Sequence, residues 1–194
     1  MKWKFQRTIA LGPYRGQLRE AVILMKKSGA ETLRNALGRL LGKQLRDLVN
    51  SRTTAEPRHV PDPILVPVPN HWTHGLSRAA NTAGSIAAAV ASETGYPVAD
   101  RAIRRIRKTS KQGMLAWTER AKNVRHAFQI SNAKLLIERH VILVDDVLTS
   151  GATVGELARV LHRVGISSLD VAVVARGTGS RESSPATARP DHAG

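Results

Sequence analysis

Cysteine is absent from the 194-residue chain. Its absence excludes disulfides, a thiolate nucleophile and cysteine-ligated zinc. Histidine does not fill the gap. Of the seven present, His71 and His74 could share one side of a turn, but no third ligand lies nearby, so they read as loop residues. Long apolar runs are missing too: none approaches the roughly 20 residues that span a bilayer. Thr8–Leu11, behind the basic start Met1–Arg7, is too brief for a signal peptide. A cytoplasmic location with no membrane span is the expectation. Two nucleotide-binding patterns are also missing. There is no glycine-rich P-loop ending in Gly-Lys-Ser/Thr, and no G-x-G-x-x-G follows a strand; Gly177-Thr-Gly179 lies in the C-terminal stretch.

Acid is scarce beside base. Thirty Lys+Arg against fifteen Asp+Glu give a formal charge of +15 and a sequence pI near 11.3. Such an imbalance suits polyanionic partners: nucleic acid, acidic lipid or a highly phosphorylated small molecule. A solvated basic surface is the plainer alternative. The charge is not spread evenly, because residues 101–111 carry six basic side chains and no acidic one.

What is present reads as alternating strand and helix. Lys4–Leu11 suggests a short strand or extended entry, broken by Gly12-Pro13-Tyr14. Gly16–Lys27 follows as an amphipathic helix with Leu18, Ala21, Val22 and Met25 on one face, stopped by Gly29. Glu31–Val49 repeats leucine at helical spacing. Residues 51–63 are polar and contain proline, which marks a connection. Ile64–Pro69 reads as a buried strand, Ser77–Thr94 as an alanine-rich helix, Pro97–Ile106 as a strand entering a basic loop, and Thr118–Val124 as a short helix. Val141–Val144 has the apolar run of a parallel strand covered on both faces. Ala152–Val164 then predicts a helix, and Leu169–Ala175 the next strand. The predicted class is α/β, a central mainly parallel sheet flanked by helices with an N-terminal helical addition. The expected division is an N-terminal segment 1–50, a core 60–176 and a disordered tail 177–194.

The chemistry concentrates in Val141–Thr153. A buried strand delivers Asp145 and Asp146 to its C-terminal end, the edge at which open α/β sheets bind ligands. Leu148-Thr149-Ser150-Gly151-Ala152-Thr153 then turns into a helix, so loop amides and the helix N-terminus make an anion site. Gly151 allows close backbone approach, and Thr149, Ser150 and Thr153 add hydroxyl donors. Carboxylates cannot hold phosphate without a cation, but they accept hydrogen bonds from sugar hydroxyls. An anion loop beside paired acceptors describes a ribose 5-phosphate. An Asp-capped strand end with an ordinary hydroxylic helix cap is the structural alternative.

Val144–Thr153 resembles the phosphoribosyl pyrophosphate (PRPP) signature of type I phosphoribosyltransferases. The wider pattern resembles the ComF branch of that group. Tyr14-x-Gly16 with Lys26 is similar to its N-terminal helix, and Val66-Pro-Val-Pro69 with Arg78-x-x-Asn81 to its PVP…RGxNQ segment. Arg105-x-Arg107-x-Thr109-x-x-Gln112, with Arg120-x-x-Asn123 and Phe128, is similar to its central basic block. There are departures. The four-cysteine zinc module that ComF-like proteins usually carry upstream has no counterpart, so either it was lost or the chain start is misassigned. The RGxNQ segment is Arg78-Ala-Ala-Asn-Thr82, and Thr149 stands where purine-salvage members usually place a carboxylate.

The resemblance implies that Asp145 and Asp146 hold the ribose hydroxyls of PRPP and that Leu148–Thr153 hold its 5′-phosphate. It places the pyrophosphate against Val68, Pro69 and Asn70, with Val68 and Asn70 offering backbone amides, although a rigid strand-ending turn would explain those residues equally well. Arg105, Arg107, Lys108 and Lys111 would close over the same group. Mg²⁺ would arrive on the pyrophosphate and sugar oxygens, with no cage of protein ligands. The implied reaction moves ribose 5-phosphate to an unidentified acceptor. The rival reading is a nucleic-acid-handling or regulatory module linked to competence and DNA uptake. There the 101–111 cluster would track single-stranded DNA, and Trp117 would offer a stacking face. The fold also accommodates a homodimer.

Overall fold

The computed structural model describes residues 5–53, 62–69, 81–107 and 117–177. Along these run β1 (Arg7–Pro13), α1 (Gly16–Leu24), α2 (Glu31–Thr53), β2 (Pro63–Pro67) and α3 (Thr82–Thr94). They continue with β3 (Ile103–Arg105), α4 (Trp117–Val124), β4 (Phe128–Ile130), β5 (His140–Leu148), α5 (Ala152–Val164) and β6 (Ser168–Arg176). The central sheet is parallel throughout, in the order β1-β6-β5-β2. Beyond β2, residues 97–99 add one parallel bridge, with the Leu65 amide donating to Pro97 O at 2.9 Å and the Ala99 amide to Leu65 O at 2.8 Å. β3 and β4 form a separate antiparallel ribbon.

The period-2 alternation of the strands builds two cores, one on each face. Ile64, Val66, Val141, Leu143, Val171 and Val173 pack with Val154, Leu157, Ala158 and Leu161 of α5. Leu65, Ile142, Val144, Ala172 and Val174 face the other way, onto Leu37, Leu41 and Leu45 of α2 and Ile86 and Val90 of α3. Both faces are covered, which is why β5 reads as a continuous apolar run and does not alternate. α2 and α3 approach closely because Gly38 and Gly42 lie on the contact. A Cβ added at Gly38 would sit 2.6 Å from Ala89 Cβ, and one at Gly42 would sit 2.8 Å from Glu93 Cβ.

Several expectations shift. The N-terminal helical region is present as α1 and α2, and the strand ahead of it, β1, joins the central sheet as an edge strand paired with β6. Gly12 and Pro13 do not break β1, because an edge strand tolerates proline; they continue its register opposite Ala175 and Arg176. The strand expected over Pro97–Ile106 divides at a turn over Asp100–Arg101. Its first part joins the main sheet and its second, β3, pairs with the unforeseen β4. β5 runs on to Leu148, so the two aspartates lie inside the strand and not just beyond it. The expected start of α3 at Ser77 and the tail after Gly177 lie outside the described residues.

Candidate functional site at the carboxyl edge of the sheet

Because the strands are parallel, their carboxyl ends share one edge. β2 leaves the ladder there, since prolines at 67 and 69 have no N–H to donate. β5 overhangs it, carrying Asp145 and Asp146 past the last β2 pair, Pro67 opposite Val144. Each carboxylate is oriented by the next amide: the Asp146 N–H donates to Asp145 Oδ1 and the Val147 N–H to Asp146 Oδ1, both at 2.8 Å. Burial, then the neighbouring Asp146 charge, holds the Asp145 carboxyl well above the usual carboxylate range. The other oxygen of Asp146, Oδ2, lies 2.6 Å from the Lys26 ammonium. Burial pulls that ammonium down, but Asp146, with Asp145 and Tyr14, outweighs it and raises it above its ordinary value.

The residues expected to hold phosphate take distinct positions. Leu148 is buried and its carbonyl accepts the Gly177 amide at 2.8 Å, while Thr149 is exposed. Ser150 is buried, with its Oγ 3.4 Å from the Ala152 amide. Gly151, at φ 69°, turns the chain into α5 through the left-handed region, a conformation that favours glycine. As a glycine it has no side chain with which to cap the helix. α5 begins at Ala152, so the loop lies at the positive end of the helix dipole.

The second constellation is placed only in part. Val68 is buried, and its amide donates to Val144 O at 2.9 Å. The donor expected to meet pyrophosphate is therefore already engaged in the sheet. Pro69 is half-buried at the same edge, whereas Asn70, Lys108 and Lys111 lie outside the described residues. Arg105 sits on β3 with its guanidinium 5.1 Å from the Phe128 ring centroid. Its Nε is buried without a hydrogen-bond partner. Burial lowers the pKa of Arg105, partly offset by the Asp145 carboxylate nearby. Arg107 instead ties the ribbon together, its Nη2 donating to Asn123 O at 2.8 Å and Arg125 O at 2.7 Å.

Two features were not singled out as site residues from the sequence. Lys26 figured only within the resemblance of the N-terminal helix, because its contact with Asp146 crosses 120 positions. The other is the anchorage of α5. Glu156 accepts the His126 amide at 2.7 Å and is gripped by Arg159 at 2.6 and 2.9 Å, joining α5 to the corner before β4. The Arg159 hydrogen bond comes first in holding the Glu156 carboxyl below its usual range. A glutamate with an arginine three residues on is common on helix surfaces, so the sequence carried no special signal. Among the described residues, no three His, Asp or Glu side chains gather as a metal cage, and no helix is long and apolar enough to cross a membrane.

Residues 76–189 match the model of the phosphoribosyl transferase domain. The chain is 31% identical over 172 residues to the DNA utilization protein YhgH of Salmonella typhi, covering 86% of this chain and 70% of that protein. It is 28% identical over 141 residues to Competence protein F of Haemophilus influenzae, covering 72% of this chain and 59% of that protein. A structure of Trypanosoma cruzi hypoxanthine phosphoribosyl transferase overlays with a TM-score of 0.47 at 13% identity, covering 80% of this chain and 71% of that one.

Proposed function

The chain belongs to the phosphoribosyl transferase domain family, and on that footing we propose that it binds PRPP, or another ribose 5-phosphate, at the carboxyl end of β5. One observation carries the reading: Asp145 and Asp146 stand on an overhanging strand that leads, through a glycine-capped turn, into the N-terminus of α5. Acceptors for two vicinal hydroxyls and an anion cradle are thereby separated by only a few residues, as a phosphorylated sugar requires. Among the described residues no third His, Asp or Glu joins the two carboxylates, which suits a cation that brings its own oxygens. Mg²⁺ carried on the pyrophosphate fits this better than a resident ion. Bound there, it would neutralise charge on the leaving group.

The reaction served is displacement at the sugar C1. The bond to the pyrophosphate oxygen breaks, its electron pair leaves with pyrophosphate, and the acceptor's lone pair forms the new bond. The protein's part is to position the ribose through Asp145 and Asp146 and to place positive charge, Arg105 foremost, beside the departing group. Calorimetric titration of PRPP with Mg²⁺ into wild type and into Asp145→Asn/Asp146→Asn, at two salt concentrations, tests it. Saturable binding to wild type that the double substitution removes is the expected result. No binding to wild type at either salt would overturn the reading.

A second reading rests on the exposed Arg101, Arg104, Lys122 and Arg125 around the β3–β4 ribbon, which would follow a single-stranded DNA backbone. Its mark is steep salt dependence, lost when the 101–111 cluster is neutralised.

A further inference from the structure

The position of Lys26 is built into the fold. Arg34, fully buried on α2, donates Nη1 to Met25 O at 2.7 Å and to Lys27 O at 3.2 Å, clamping the backbone on both sides of Lys26. Met25 is itself fully buried, and Glu31 lies 2.6 Å from Arg34 Nη2. A buried arginine therefore fixes the α1–α2 turn, and Lys26, carried on that turn, ends 2.6 Å from Asp146 Oδ2. Adjacent carboxylates at a sheet edge attract hard divalent cations, which bind oxygen ligands. In this chain an ammonium already stands where such an ion would meet Asp146.

We propose that Lys26 is a built-in counter-cation that keeps free divalent metal off the Asp145–Asp146 pair, so that metal enters only as a complex with the phosphorylated sugar. Sugar hydroxyls can hydrogen-bond the carboxylate oxygens beside the ammonium, and the phosphates that arrive with them offer the ammonium a second anion. The four-carbon stem then carries the ammonium toward the newly arrived phosphates. Exclusion of free metal stands on geometry alone. Entry with the sugar rests on the ribose-phosphate reading above.

The test is Mn²⁺ titration followed by electron paramagnetic resonance, on the full chain without sugar phosphate, for wild type, Lys26→Met and Lys26→Arg. Lys26→Met should gain one site binding Mn²⁺ roughly tenfold tighter than wild type, toward the low end of the roughly 5–150-fold by which one bound group commonly changes another's affinity. Adding Asp146→Asn to Lys26→Met should remove that site, and Lys26→Arg, which keeps the charge, should behave as wild type. Equal Mn²⁺ affinity in wild type and Lys26→Met, whether both bind or neither does, overturns the proposal. So does a Lys26→Arg protein that gains the site, because the charge would then not be the cause. Repeating the titration with ribose 5-phosphate separates the two readings. Absence of sugar-phosphate binding in every variant sinks the ribose reading while leaving the metal result as it stands.

Discussion

The two edges of the central sheet hold similar side chains in opposite circumstances. At the amino edge Asp170, 2% exposed, is enclosed by partners: Arg7 Nη2 at 3.0 Å, Arg7 Nε at 3.3 Å and His140 Nε2 at 3.3 Å. The other ring nitrogen of His140 is hydrogen-bonded to the Ser168 hydroxyl. Three strands are tied there by one satisfied carboxylate. At the carboxyl edge two carboxylates are adjacent in sequence, burial and then the Asp146 charge raise the Asp145 carboxyl, and a half-exposed lysine meets Asp146. The amino edge has its electrostatics resolved by folding. The carboxyl edge has them left open, as the proposed sugar-phosphate site requires and a structural clasp does not.

The sharpest way to break that contrast is Asp170→Ala. Removing the shared acceptor strands Arg7 and His140 and should cost about 3 kcal/mol, as breaking buried ion pairs does, read from the urea midpoint at unchanged slope. Asp145→Asn should act in the reverse sense, raising the stability of the ligand-free protein by about 1 kcal/mol while abolishing PRPP binding. The sign follows from the raised Asp145 carboxyl. Its folded form holds the proton more tightly than the unfolded chain does, so its contribution is full below the ordinary carboxylate range near ~4 and is lost as pH rises through the folded value. Melting curves from pH 4 upward should show that decline in wild type and a flatter profile in the variant. A stability loss in Asp145→Asn equal to that of Asp170→Ala would erase the distinction between the edges. Arg7→Gln should have the smallest effect, about 0.5 kcal/mol, because His140 still meets Asp170 and water reaches the 33% exposed Arg7 side chain.

Much of this was legible in the sequence because it is local. Val141–Val144 announced a strand covered on both faces, and Gly151 with the hydroxyl cluster announced the turn into α5. The order of strand, acidic pair and small-residue loop needs no distant partner. What escaped depends on pairing across the chain. β4 is three residues long and exists because β3 lies opposite it. The aspartates sit within β5 because β6 continues beside them as far as Leu148 opposite Arg176. The Val68 amide looked available after a proline, yet Val144 O takes it. Lys26 reaches Asp146 only through a turn fixed by Arg34, and no spacing rule relates those three positions.

The bare contact between α2 and α3 has a mechanical consequence. With no side chain at 38 or 42, the two helices touch almost backbone to backbone, and α2 has a fulcrum there. One arm of that lever begins at Glu31 and carries Arg34, which grips the turn bearing Lys26. A methyl group wedged in at the fulcrum would tip the arm and swing the ammonium away from its carboxylate. Control over the charge at the sheet edge therefore extends to two positions that have no side chain and touch none of the residues at that edge.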